Sequence, residues 1–380
     1  MRGKWYSAIG LVLLLAACAG GSSNAGGTSV ITIPVIYSAT GVSGSFGGSA
    51  RVGFELALSE INKTGVNGSK LALDYQDDGS QPNSAVSITD QAVKSNAPVI
   101  IGPIQTNTAS AALPRCKQGK VACLAVVLSS ASVAQDAAPY GYSFVMSGDV
   151  AATIATAQFL KLLPSVKKFS AIVDKENASM VLQSQGFGAA AKAGGATVNA
   201  AQFISESAVD FSPQVTNIKA ENPDAIYLAA LNGQSPGIVH AIRRQGIKVP
   251  IFASTAATTG NFIQTTGADA EGVYTYGDFW IGDPAVAAWV QSVKSYGIAP
   301  DTIVAASYDS LKLVAQILTQ LGVSGSSGNV ASTRSKFADK LAQANYKGVE
   351  VGYQFHNGMP TKDIYLLEVK SGILDKATAP

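Results

Sequence analysis

Apolar residues along this chain switch repeatedly between strand-like runs and helical spacing. Val30 to Tyr37 is a Val/Ile/Thr/Tyr run that reads as a strand. A Gly/Ser loop follows, then a helix from about Ser49 to Asn62, where Val52, Leu56, Ser59 and Ile61, with Phe54 and Leu58, fall at helical spacing. Leu71 to Tyr75 predicts the next strand, stopped by Asp77-Asp78-Gly79. A helix over Asn83 to Ser95 comes next, then a strand over Pro98 to Ile101 broken by Gly102-Pro103. A helix over Thr106 to Arg115 and a strand over Val121 to Leu128 complete the first half. The alternation then restarts. Ala151 to Leu163 and Met180 to Ala193 predict helices, with strands over Phe169 to Val173 and Ala196 to Ile204. Phe211 to Ala220, Ala225 to Leu231 and Gly237 to Gln245 give helix, strand, helix. Short strands at Pro250 to Ala253 and Val273 to Tyr276 precede three helices, Ala285 to Tyr296, Thr302 to Leu321 and Ser332 to Ala344. Glu350 to Phe355 and Ile364 to Val369 read as a closing antiparallel pair, turned at His356-Asn357-Gly358-Met359-Pro360. Strands alternating with helices mean parallel sheets of βαβ units, and there are too many strands for one sheet. The expectation is an α/β protein with two lobes.

The N-terminus has a different pattern. Arg2 and Lys4 precede an apolar run from Ala8 to Leu15 and then Leu15-Ala16-Ala17-Cys18. A bilayer-spanning helix needs about 20 apolar residues, so this run suits the core of a signal peptide instead. Leu-Ala-Ala-Cys resembles a bacterial lipobox, in which cleavage leaves Cys18 as the lipid-modified first residue; an ordinary secretory signal is the alternative. Residues 1–17 are therefore read as a leader and 18–29, which are Gly, Ser, Ala, Asn and Thr after the cysteine, as a flexible tether. Cys116 and Cys123 remain as an even pair in an oxidising compartment. Either a disulfide that staples a turn or two buried thiols would account for them.

Composition narrows the function classes. Of 380 residues, 47% are hydrophobic and 14% charged, which excludes a disordered chain. Lys and Arg number 27 against 25 acids, and losing the leader removes Arg2 and Lys4, leaving 25 against 25. A neutral body has no electrostatic footprint for nucleic acid. Two histidines, His240 and His356, leave little for a metal site or for acid–base chemistry. No metal and no cofactor is expected.

Individual motifs support the same view. Gly41-Val42-Ser43-Gly44-Ser45-Phe46-Gly47-Gly48 follows the first strand, but its spacing is not the dinucleotide G-x-G-x-x-G, although Asp77 and Asp78 stand where a ribose acid would. Its glycines still let backbone approach a ligand. Gly233-Gln234-Ser235-Pro236-Gly237 matches G-x-S-x-G, yet Pro236 lacks the N–H an oxyanion hole would need. Ser235 as helix N-cap with Pro236 behind it explains the same string. Asp149, Asp174, Glu176 and Asp210 sit at junctions into helices, where capping is their default role. Tyr274, Tyr276, Phe279 and Trp280 form an aromatic cluster suited to core packing or to lining an apolar ligand.

An ordered series of strings resembles one family, the type I solute-binding proteins of ABC transporters, branched-chain amino-acid (Leu/Ile/Val) class. It runs through Ala39-Thr40-Gly41 to Phe46-Gly47, Gly53-Phe54-Glu55-Leu56-Ala57 to Ile61-Asn62, Tyr75-Gln76-Asp77-Asp78 and Val99-Ile100-Ile101-Gly102-Pro103. In the second half it continues through Asp210-Phe211-Ser212-Pro213-Gln214-Val215, Asn222-Pro223-Asp224-Ala225, Arg243-Arg244-Gln245-Gly246-Ile247, Ala270-Glu271-Gly272-Val273 and Ser307-Tyr308-Asp309. The resemblance implies two Rossmann-like lobes with parallel central sheets, joined by three hinge crossings near Met146–Gly148, Tyr276–Asp278 and Gly348–Val349. Lobe 1 would be 30–146 with 277–348, and lobe 2 would be 147–276 with 349–380.

The resemblance also implies a site between the lobes. Phe46 matches an aromatic after the first strand. Gln105 and Thr106 match a loop whose hydroxyl and amides bind a carboxylate, and Ala131, Ser132 and Val133 match the next loop, with Val133 where the family has threonine. Asn232, Ala256 and Tyr276 fall on the second lobe's side. There the chain departs from the family: no tyrosine stands at Leu231–Asn232, and Phe252 to Thr259 has no acid where a glutamate holds an α-ammonium. A small carboxylate-bearing solute is expected, with an ordinary α-amino acid disfavoured at that position. The implied role is non-enzymatic capture outside the cytoplasm by a monomer, anchored to the membrane through Cys18 and delivering solute to an ABC permease. A ligand-sensing receptor module and an extracellular α/β enzyme are the alternatives.

Overall fold

A computed structural model describes residues 29–258, 260–325, 329–350 and 352–378. The leader, Cys18 and all of the tether except Ser29 lie outside the described residues. The first alternation gives β1 (Val30–Tyr37), α1 (Gly44–Thr64), β2 (Lys70–Asp77), α2 (Pro82–Lys94), β3 (Ile100–Ile101), α3 (Thr106–Gln118), β4 (Cys123–Leu124), α4 (Ala131–Ala137) and β5 (Gly141–Tyr142). Their strands form one parallel sheet in the order β2-β1-β3-β4-β5, with β1 and β2 in register from Val30–Lys70 to Tyr37–Asp77. Helices cover both faces, so the pleat sends neighbours to different cores. Ile31, Ile33 and Val35 pack in one core, whereas Ile36 joins Ile100 and Cys123 in another.

The second alternation gives α5 (Gly148–Leu162), β6 (Lys168–Asp174), α6 (Ala178–Ala193), β7 (Thr197–Val198), β8 (Gln202–Ile204), α7 (Ser212–Glu221), β9 (Ala225–Ala229), α8 (Ser235–Arg244), β10 (Ile251–Ala253), α9 (Gly260–Thr266) and β11 (Val273–Gly277). Strands β6, β9, β10 and β11 run parallel through the middle of the second sheet. The same split recurs on β9: Ala225, Tyr227 and Ala229 face one core, Ile226 and Leu228 the other. Phe187 stacks on Tyr227 at 3.8 Å between ring centres, and Phe159 on Phe252 at 4.7 Å. The chain continues through α10 (Ala287–Lys294), α11 (Thr302–Gln320), α12 (Val330–Ala342), β12 (Asn345–Lys347), β13 (Gly352–His356), β14 (Met359–Pro360), β15 (Tyr365–Lys370) and β16 (Ile373–Lys376). Helix α11 returns to the first lobe and packs along α1, where Gly53 allows the approach: a Cβ there would meet the Val304 carbonyl oxygen at 2.2 Å.

Three expectations need correction. Helix α1 starts at Gly44, inside the stretch read as a loop, and the strand read over 121–128 pairs as a strand only at Cys123–Leu124. The closing hairpin between 350–355 and 364–369 does not form. Asn357 and Gly358 both take positive φ, 50° and 80°, which turns β13 back onto the short β14. β15 instead joins β11, antiparallel, and pairs with β16. The third crossing therefore moves from Gly348–Val349 to residues 361–364. The cause is packing: Tyr353 and Phe355 lie against Phe144, Phe355 also lies against Tyr142, and Ser143 N donates to the Gly358 carbonyl at 2.8 Å. Residues 349–360 thus belong with the first lobe.

Candidate functional site

The glycine loop after β1 is clamped by the acids after β2. Asp77 accepts from the amide of Ala39 (2.8 Å) and the hydroxyl of Thr40 (2.7 Å). Asp78, buried, accepts from Ser38 Oγ at 2.7 Å. Gly41 holds a φ of +81° under the Gly79 carbonyl, a position no larger residue fits. These acids close a loop, and the buried Asp78 is turned into it and away from solvent. The clamped loop leads into α1, whose first turn presents Phe46 to a cavity between the lobes.

That cavity, ≈ 60 Å³, is walled by both lobes and by all three crossings. The first lobe supplies Phe46, Gln105, Thr106, Asn107, Ser129 and Ile303, and the second Asn177, Ser179, Met180, Leu231, Thr255 and Ala256. Val145 and Met146, Gly277 and Asp278, and Ile364 come from the crossings. The amides of the first turn of α3 have no side-chain cap and point their dipole at this space, which suits a carboxylate. The first turn of α6 is capped. Asn177 Oδ1 accepts from Ser179 N and Met180 N, and Asn107 of the opposite lobe accepts from Ala178 N at 3.0 Å. One side chain of lobe 1 thereby completes a helix of lobe 2.

The sequence-derived site residues divide into two groups. Phe46, Gln105, Thr106 and Ala256 line the cavity. Gln105 does so with its amide already used, accepting from Ser43 Oγ (2.6 Å) and donating to Ser38 Oγ (3.0 Å). The Thr106 hydroxyl accepts from Ser129 N at 2.9 Å, joining the loops after β3 and β4. Ala131 and Ser132 are exposed and Val133 packs against the core behind the sheet, because α4 starts there and turns these residues away from the cleft. Ser129, just upstream, takes their place in the wall. Asn232 is buried outside the lining, which Leu231 reaches instead. Tyr276 is fully buried, its hydroxyl donating to Gln183 Oε1 at 2.8 Å, beside Tyr227. Gln183 Oε1 also accepts from Thr255 N at 3.1 Å, so the Tyr276 ring organises the wall from behind. Asn107, Asn177 and Asp278 were missed; capping position gave the only sequence signal for Asn177.

The remaining chemistry is also structural. Ser235 lies in the first turn of α8, with Gln234 preceding it as the cap, and its hydroxyl donates to the Ala230 carbonyl at 2.7 Å. Asp210 accepts from Ser212 N, and Asp149 from Ser147 Oγ at 2.5 Å. Asp174, at the end of β6, is fully buried and accepts from Glu176 N. Burial, with the charges of Glu206 and Glu176 adding to it, pushes its pKa up to about 6. Cys116 and Cys123 are joined by a disulfide between α3 and β4. Among the described residues no group of three or more His, Cys, Asp or Glu side chains is placed to hold a metal, and no helix is long and apolar enough to cross a membrane.

Two α/β lobes closing on a small cavity through three crossings define a type I binding protein fold. The family model described as periplasmic binding protein matches residues 30–373, and the chain belongs to that family, one of binding proteins and not of enzymes. It is 22% identical over 306 residues to the Leu/Ile/Val-binding protein homolog 3 of Brucella melitensis, covering 79% of this chain and 82% of that relative. Its fold matches the LivJ substrate binding protein of Streptococcus pneumoniae in complex with isoleucine, with TM-score 0.82, 20% identity and coverage of 92% and 99%. An equal match is the R. palustris solute binding protein in complex with benzoate, with TM-score 0.83, 19% identity and coverage of 92% and 96%.

Proposed function

We propose that this protein is an extracytoplasmic solute-binding lipoprotein of an ABC uptake transporter, capturing a small carboxylate-bearing solute between its lobes and handing it to a membrane permease. The observation that carries this reading is the cavity itself, walled by both lobes and all three crossings, with the uncapped first turn of α3 facing it. A solute there gains its full set of contacts only when the lobes are shut, so binding shifts the open–closed equilibrium by that difference in affinity. Similarity to an isoleucine-bound and a benzoate-bound protein supports a carboxylate as the shared feature. Lipid on Cys18 would keep the protein near its permease.

Calorimetry with amino acids and with aliphatic and aromatic acids tests the solute. Binding to one class with the solute recovered unchanged is the expected result; no binding across the panel, or turnover, would refute the proposal. Incorporation of labelled palmitate, lost in Cys18→Ser, tests the anchor separately.

A further inference from the structure

The cavity wall and the hinge share one side chain, Asp278. It stands directly after β11, where the second crossing begins, and is the one charged residue among the described residues lining the cavity. Its side chain retains 4% exposure. Behind it lies Lys362 of the third crossing, fully buried, with Nζ 3.2 Å from Asp278 Oδ2. The same ammonium donates to the Phe144 carbonyl, just before the first crossing (2.6 Å), and pairs with the Glu350 carboxylate. Its hydrogen bonds go to Phe144 and Glu350, whereas Asp278 Oδ2 is held by charge alone and, buried, accepts no hydrogen bond.

Asp309 brings a third carboxylate to this cluster, accepting from Val349 N at 2.9 Å and from Tyr353 Oη at 3.0 Å. One lysine therefore faces Asp278, Glu350 and Asp309 in a region shielded from water. An excess of buried carboxylates is unfavourable unless protons or a further cation join them. Burial raises the pKa of Glu350 and of Asp309, the latter to about 6. Asp278 is the member of the three that reaches the cavity, and a cation arriving there meets its carboxylate directly.

We propose that Asp278 anchors a protonated amine of the bound solute, with the solute's carboxylate at the first turn of α3, and that Lys362 links this contact to all three crossings. The inference rests on the reading of the cleft as a solute site. It places an ammonium partner at the hinge, outside the 252–259 segment that holds no acid.

The test is calorimetry on the full chain with matched pairs, L-leucine against 4-methylpentanoate and L-phenylalanine against 3-phenylpropanoate, repeated on Asp278→Asn. The amine-bearing member of a bound pair should bind about 10- to 100-fold more tightly. Asp278→Asn should remove that preference, bringing the two members of a pair to within about 3-fold of each other. Equal or tighter binding of the deaminated acids by the wild type overturns the assignment and leaves the solute-binding reading intact. Equal weakening of both members in the variant would make Asp278 a hinge partner only. Silence of every probe overturns the solute-binding reading itself. Should Asp278→Asn fail to fold, the wild-type preference decides.

Discussion

Asp174 shows how a single position can be set against stability. Its ordinary carboxyl pKa of 3.8 rises to about 6 in the fold, through burial and then the neighbouring charges of Glu206 and Glu176. The native state thus holds a proton over a range where the unfolded chain has lost it. Stability contributed this way is present below pH 3.8 and declines as pH rises toward 6, after which it stays flat. Asp174→Asn, which keeps the acceptor for Glu176 N, is expected to raise stability at pH 7.5 by about 1–2 kcal/mol and to flatten the decline. Urea melts at pH 4.5, 6 and 7.5 check this; an equal gain at every pH would mean that the carboxylate's charge is not the cause. Site residues are the least legible at this scale. The family resemblance placed Gln105 and Thr106 at the cleft, but nothing in the string showed that the Gln105 amide is consumed by Ser43 and Ser38.

Elements were read well where the period is long and badly where pairing decides. The buried runs of β1, β6 and β9 announce strands because both faces are covered by helices, so their apolar stretches are nearly unbroken. The closing hairpin went wrong because Ile364 to Val369 has the right composition for a strand but finds its partner on β11, a long-range choice that composition does not encode. Contact between α1 and α11 depends on Gly53, whose missing side chain lets the Val304 carbonyl approach. Gly53→Ala should cost about 1–3 kcal/mol and shift both helices apart. Denaturant unfolding reads the cost, and an unchanged midpoint would show that the helices separate freely.

At the scale of the whole molecule, the lobes are coupled across the cleft mouth and through the hinge. Asn107 of the first lobe caps α6 of the second only while the two are together. Asn107→Ala is therefore expected to weaken solute affinity by about 3- to 10-fold and to leave the melting temperature without solute nearly unchanged. Small-angle scattering would show a less compact average, and an unaltered affinity would count against a closing role. Lys362 is the hinge counterpart. Lys362→Met leaves Asp278 and Glu350 buried without their cation and should destabilise the protein by about 3–5 kcal/mol. Thermal unfolding measures it; a small loss would mean the carboxylates protonate at little cost.

The sequence by itself determined the alternating α/β architecture and the two-lobe division in outline, because burial on both faces of parallel sheets writes long apolar runs into the chain, and its ordered strings carried the resemblance to a binding-protein family. Only the tertiary structure decided where the third crossing falls and that Ala131, Ser132, Val133 and Tyr276 stand off the cavity. It also decided that Asp278 reaches the cavity. Those facts arise where segments distant in the chain meet: Tyr353 and Phe355 choose Tyr142 and Phe144, and Lys362 draws three crossings onto one ammonium. Such choices are made by complementary packing and charge across space, and local spacing carries no trace of them.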